Sequence, residues 1–486
     1  MIPNKTTIRR LGTVAVVSLI ALAAGARQPV SFTSTDTVLE NTFNWARDMA
    51  MSYVHDGSDP VGLWYEAALP GRDAFCMRDL SHQVVAAEIL GLGEHNANML
   101  RKVAEGISES KDWCSFWEID KFDRPAPCDF GNDKEFWYNL PANFDVMRAC
   151  REAYEWTGDS TYLFSPEFVN FYQRTAHDYA ERWCLTPDSI MGRPRFMNTP
   201  EPFDRRKGFH TCRGLPSYAE NFSGITVAID LIGAIMTGYE AYEFFCLQEN
   251  KKGEAEFARS RAEAFRGLME GQWWDSANSR YNTYYKENGE FHRGEGIPYL
   301  LLIEALREPE RAKASVADVL SRGWNVENLS AFPVFLYRLG YYDDAERILA
   351  SLPTIERNDY PEVSYGAVEG IVCGAMGIRT KASESSVATC HRSNVQEAVS
   401  VIDNLPFNGG EIAVRHSGRT SSVFTNNTAK SIQWCPAFVG KGKICDAAGK
   451  ELSTSVSADV AGNDVSTACV TVLPGASLVV EFSAAQ

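Results

Sequence analysis

Six short segments hold the residue types that acid–base chemistry on a hydroxylated ring would need. The first runs through Arg72 and Asp73 to Arg78 and Asp79, with His82 just beyond. The second holds Asp133, Glu135 and the aromatic run Phe136-Trp137-Tyr138. The third holds Tyr218, Glu220 and Asn221; the fourth Arg293 and Glu295; the fifth Trp324 and Glu327; the sixth Tyr360 and Glu362. Every segment has a carboxylate, and most have an aromatic or an arginine close by. Aromatic faces stack on sugar rings while arginines and carboxylates grip hydroxyls. Helix capping explains Asn328, Ser364 and Glu327, because such groups are favoured at helix N-termini. It does not explain Arg72 and Arg78, since cations are disfavoured there.

The elements behind these segments alternate in character. Residues 254–270 are charged along one face and belong outside; residues 224–245 carry only Asp230 as a charge before their last turns and must be buried almost all round. The same contrast gives outer helices at 36–55, 94–110, 166–184, 253–271, 309–322 and 341–351. Inner helices fall at 79–92, 142–156, 222–245, 295–307, 328–339 and 363–377. Glycine and alanine along 366–377 permit close helix packing. The alternation predicts a mainly α fold, an (α/α)6 toroid over residues 27–384, and no fixed-length sequence period favours an open repeat array instead. Beyond it, short β-rich runs at 398–402, 411–416, 431–435 and 478–482 predict a C-terminal β-sandwich domain over 385–486. Parallel inner helices would bring the six segments to one mouth.

Residues 1–26 have the form of a signal peptide: Lys5, Arg9 and Arg10, then an apolar stretch from Leu11 to Ala24, then Ala24-Gly25-Ala26. Arg9-Arg10 is read as an ordinary basic start rather than a twin-arginine signal. A secreted or periplasmic protein with no membrane insertion is expected. The 47 basic and 63 acidic residues give a formal charge of −16, which argues against a nucleic-acid partner. The twelve cysteines contain no CxxC spacing, so zinc ribbons and thioredoxin-like motifs are excluded. Cys76, Cys150, Cys246 and Cys373 lie in or beside apolar helical segments, as small hydrophobes do. The sequence lacks GxSxG, P-loop, HExxH and dinucleotide GxGxxG patterns, and no metal or organic cofactor is expected. The basic stretch 193–213 is a solvated loop or a rim that recognises an anionic sugar.

The alternating helices, the segment GRDAFCMRDLSHQ and the ending SYGAVEGIVCGAMGI resemble bacterial six-hairpin glycosidases, α-L-rhamnosidase-like members most of all. The resemblance covers residues 36–484. It implies a hydrolase acting on a carbohydrate, exo-acting and inverting, with two carboxyl groups roughly 6.5–9.5 Å apart. Carried onto this sequence, the acid is Glu220 and the base Glu362. Leu215, Tyr218 and Phe222 would give Glu220 apolar surroundings, and a helix mouth would keep Glu362 ionised. Asp79, Asp133, Glu135 and Glu295 remain alternatives for the acid. Arg72, Asp73, Arg78, Asp79, His82, Asp133, Glu135, Trp137, Asn221 and Glu295 are the expected substrate contacts. Glu369 reads as a buried structural acid. Other readings on the same fold are an unsaturated-uronide hydrolase, a sugar epimerase and a non-catalytic glycan-binding barrel.

Overall fold

The computed structural model describes residues 28–194, 212–219 and 224–485. Two rings of helices fill its larger part. The outer ring comprises α1 (Thr37–Ser52), α3 (Gly93–Glu105), α5 (Pro166–Arg174), α7 (Lys252–Leu268), α9 (Pro309–Leu320) and α11 (Tyr342–Ser351). The inner ring comprises α2 (Met77–Ile89), α4 (Ala142–Thr157), α6 (Ile229–Gln248), α8 (Ile297–Leu302), α10 (Val326–Leu339) and α12 (Pro361–Glu369). Each inner helix touches the next, and α12 returns to α2, so the ring closes into a toroid-like body.

The burial patterns follow the sequence contrast. In α7 only Ala255, Ala258, Ala262 and Phe265 are buried, a single stripe at helical spacing. In α6 burial runs unbroken from Ile229 to Tyr239. The inner helices approach closely where side chains vanish. A Cβ on Gly366 of α12 would lie 2.6 Å from the carbonyl oxygen of Ser330 on α10, and one on Gly238 of α6 would lie 2.7 Å from Phe144 on α4. The Ser330 carbonyl belongs to a packed helix and cannot swing aside. Gly366→Ala is therefore expected to lose stability by about 1–3 kcal/mol despite alanine's better helix propensity. An unchanged urea midpoint would refute this.

Two six-stranded sheets form the second part. The first runs Ser31–Ser34, Val399–Phe407, Gly410–Ser417, Ser421–Asn426, Ser477–Ala484, Gly442–Asp446 and is antiparallel throughout. The second is built around Ile432–Val439, with one parallel neighbour, Ser386–Cys390. The sheets meet through stacked rings, Phe424 on Trp434 at 5.4 Å and Phe438 on Phe482 at 5.2 Å. The strand Ser31–Ser34 precedes all the helices yet pairs with Val399–Phe407, Phe32 opposite Ile402. Arg379–Lys381, ahead of the expected boundary, also joins the second sheet. Cys435 and Cys469 form a disulfide within this part, a pairing the sequence left open.

Two buried histidines sit where the sheets meet the barrel. His391 Nδ1 donates to the Gly418 carbonyl at 2.9 Å, and His416 Nε2 donates to the Met376 carbonyl at 3.1 Å. Their other ring nitrogens accept from Ser400 and Ser422 at 3.2 and 2.8 Å. The rings stack 5.1 Å apart. Burial pulls His391 down to about 4, and burial with the neighbouring His391 pulls His416 down to about 3.

Candidate active site

Three inner helices, and the segments leading into the other three, line one cavity of about 510 Å³, within the size range of small-molecule sites. Arg78 and Asp79 enter from the first turn of α2, and Trp137 from the segment before α4. Tyr218 comes from the turn before α6, Glu295 from just before α8, Glu327 from α10 and Glu362 from α12. Helix N-termini thus surround the mouth, and their free N–H groups favour negative charge. A ribbon completes the wall. The strand Glu118–Asp120 pairs with Ala74–Cys76, which leads into α2, so Glu118 stands opposite Cys76.

The carboxyl groups of the wall other than Glu295 fall into three sets. Arg72 Nη1 lies 2.5 Å from Glu118 and 3.6 Å from Asp129. Burial and the neighbouring Asp129 push Glu118 up to about 8, against the pull of Arg72. Cys128 sits 3.6 Å from both carboxylates. Glu118, Cys128 and Asp129 bring their donor atoms within 4.8 Å of one another, a spacing open to a cation. The Arg72 guanidinium already supplies positive charge there, so the three are read as an ion-paired cluster. In the second set Arg78 Nε holds Asp79 at 2.9 Å and lies over the Tyr218 ring, 5.8 Å from its centroid. Burial and then Asp79 push Glu362 well above the usual carboxylate range, with Arg78 opposing. The expectation of an ionised Glu362 at a helix mouth meets this opposite tendency. In the third set Arg357 lies 3.3 Å from Glu327 and 4.1 Å over the Tyr360 ring. Asn325 is the cap of α10, accepting the Asn328 N–H at 3.0 Å, which frees Glu327 to face the cavity.

Tyr218 is fixed from beneath. Its hydroxyl and that of Tyr299 both donate to Asp145, which is fully buried in α4. Its backbone N–H donates to Asp230 at 2.8 Å, as does the Ser217 hydroxyl at 2.9 Å. Burial raises Asp230 to about 6. Trp117 stands 6.4 Å from the Tyr218 ring and adds an aromatic wall.

Of the expected contacts, Arg72, Arg78, Asp79, Trp137, Glu295 and Glu362 line the cavity. Four others lie elsewhere. Asp73 points away from its neighbour Arg72 and pairs with Lys121 at 2.7 Å. Glu135 is exposed on a ribbon and accepts from Asn132 at 3.1 Å. Asp133 is on the same ribbon, half-buried and facing Lys111. His82 lies half-buried below the cavity, 5.7 Å from the Tyr299 ring, and desolvation holds it well below its ordinary value. Glu220 and Asn221 lie outside the described residues, as does most of the basic stretch 193–213. Its two described ends are internal ties: Arg193 donates to the Thr226 carbonyl at 2.9 Å, and Arg213 pairs with Asp112 at 2.6 Å. Glu118 had no sequence signal beyond its proximity to aromatic residues, and Asp129 opened the segment ahead of the second inner helix without standing out from Asp133 and Glu135. Asp145 lay inside a helix with no chemical motif around it.

Neither a protein-family model nor a curated protein matches the sequence. Solved structures do match, across most of the chain. An α-L-rhamnosidase from Dictyoglomus thermophilum is 11% identical with a TM-score of 0.59, covering 94% of this chain and 50% of its own. A GH78 family rhamnosidase of Bacillus sp. GL1 is 13% identical with a TM-score of 0.52, covering 83% of this chain and 41% of its own. A human-microbiome protein assigned as a kojibiose phosphorylase is 9% identical with a TM-score of 0.55, covering 91% and 63%. The chain thus spans about half the length of the rhamnosidases it matches, and what it shares with all three is the fold, a six-hairpin glycosidase-like arrangement of helices.

Proposed function

We propose that this chain is a carbohydrate-active enzyme that hydrolyses a glycosidic bond at the end of a glycan. One observation carries the reading: six segments far apart in sequence meet around one cavity whose wall alternates carboxyl groups, arginines and broad aromatic faces. A terminal sugar would stack on Tyr218 or Trp117 and be gripped by the paired carboxylates. Glu362 is assigned as the proton donor to the leaving oxygen, because its surroundings favour the neutral acid. Glu327, half-buried and held by Arg357, is assigned as the group that activates water. Glu220 is the competing candidate for that second role. A base working through water would give inversion.

The fold match to a phosphorylase raises a second outcome, attack by phosphate instead of water. Among the described residues the three cavity arginines each already face a carboxylate, which favours water. The test is a panel of aryl glycosides and oligosaccharides, with and without phosphate, followed by NMR of the first-formed anomer. Hydrolysis with inverted configuration supports the reading. A sugar phosphate product, or glycan binding without turnover, would replace it.

We also propose that the protein is exported. The basic start, the apolar stretch and the small residues at 24–26 support this, as does the Cys435–Cys469 pair, which suits an oxidising compartment. N-terminal sequencing of the natural protein should begin at Arg27.

A further inference from the structure

A second cavity, of about 300 Å³, lies at the opposite mouth of the ring, where the inner helices end. Its wall holds six cationic side chains, Arg148, Arg151, Arg307, Arg338, Arg379 and Lys381, and five glutamates. The pairing between them is uneven. Glu304 serves both Arg379, at 2.6 Å, and Arg338, at 3.3 Å. Glu240 serves both Arg307, at 2.6 Å, and Arg266. Glu155 accepts from the Ser383 hydroxyl at 2.8 Å instead of from a cation. Burial and the charge of Glu152 push Glu369 up to about 8, so at neutral pH it offers little negative charge. Arg148 is only 9% exposed. Its Nη1 reaches Glu152 at 2.6 Å, while Nε, 3.8 Å from Asp145, and Nη2 have no hydrogen-bond partner among the described residues.

Helix C-termini attract cations, and that explains part of the arrangement. Arg338 donates to the Leu301 carbonyl at 2.5 Å, at the end of α8. It does not explain Arg148, which sits in the middle of α4, or Arg379, which sits on a strand. A buried guanidinium with unused donors is costly, and planar forks of this kind recognise oxyanions.

We propose that this second cavity binds the phosphate or sulfate group of a small molecule, with Arg148 and Arg379 as principal donors. The two oxyanions share tetrahedral geometry and negative charge, and the anion would complete the charge balance that the glutamates leave short. The proposal does not depend on the glycosidase reading, because it concerns the other end of the barrel.

Calorimetric titration of the full chain with sodium phosphate and, separately, sodium sulfate tests it, with sodium chloride at matched ionic strength as the reference. One saturable site is expected for at least one of the two oxyanions and none for chloride. Arg148→Met and Arg379→Gln should each weaken it about tenfold or more, while Arg72→Gln in the first cavity leaves it unchanged. Arg379 is half exposed, so Arg379→Gln decides the matter if Arg148→Met fails to fold. No saturable binding of either oxyanion overturns the proposal. So does a site weakened by Arg72→Gln but not by Arg379→Gln, which would place the anion in the first cavity.

Discussion

Glu362→Gln should lower kcat on a natural glycoside by about a thousandfold and leave the fold intact. The amide keeps the size and the acceptor of the side chain but cannot give up a proton, and proton transfer by a placed group contributes about 10²–10⁴ in rate. The leaving group tells acid from base. A glycosyl fluoride or dinitrophenyl glycoside departs without protonation, so Glu362→Gln should retain most of its activity on these substrates. Equal loss on both substrate types would make Glu362 the base and return the acid role to another residue, with Glu220→Gln and Glu118→Gln as the next variants. Glu327→Gln should lose activity on every substrate, activated or not, if it handles the water; retention there with loss in Glu220→Gln would transfer the role. Stability gives an independent check. Glu362 is buried beside Asp79, and an amide, unlike the acid, can never take up the negative charge that burial and Asp79 disfavour. The melting temperature of Glu362→Gln should therefore equal or exceed that of the wild type, as is common where a site holds strained electrostatics.

Acidification should loosen the junction between barrel and sheets through the His391–His416 pair. Both rings are buried and neutral in the fold. An unfolded histidine takes up a proton near pH 6.5, whereas the folded pair resists until about 4 and 3. Between these limits the unfolded chain binds more protons, so stability rises with pH. The contribution is whole above about pH 6.5 and is lost as pH falls toward 4, on the order of 2 kcal/mol for His391 alone by pH 5. Protonation would also turn the two accepting nitrogens into donors facing Ser400 and Ser422, forcing those hydroxyls to rotate. Raised carboxyls such as Glu118 act in the opposite sense, gaining stability as pH falls below their folded values. The measurement is therefore a comparison: urea midpoints at pH 7.5 and 5 for the wild type and for His416→Gln. A pH response that is the same in both would refute the assignment.

Much of the double ring was legible because burial leaves a direct mark on helix composition. A helix such as α6, apolar all round, can only be interior, and one such as α7, with a single stripe, can only be peripheral. The convergence of the segments before the inner helices followed from that alternation. What failed was the choice within each segment. In turns and very short ribbons each side chain's direction is set by local backbone that composition does not reveal. Arg72 and Trp137 face the cavity, while Asp73, at a left-handed φ of 51°, turns to Lys121 and Glu135 stays exposed on a two-residue strand. Composition alone offered no way to choose between them. Glu118 and Asp129 were missed for a related reason. They reach the wall from a ribbon in the long connection between α3 and α4, which has neither helical period nor strand-like alternation long enough to read. Asp145 was invisible because an acid in a helix that also carries Arg148, Arg151, Glu152 and Glu155 looks the same whether it is solvated or holds two tyrosines.

The pairing of Ser31–Ser34 with Val399–Phe407 has a kinetic consequence. A strand made near the start of synthesis has no edge to join until the chain has grown past residue 407. Loop closure over so long a contour is slow, and a waiting unpaired strand is open to the wrong neighbour. The first sheet is thus a late clasp rather than an early nucleus: the helices can pack while it stays open, and its fastening marks the moment at which barrel and sheets become one cooperative unit.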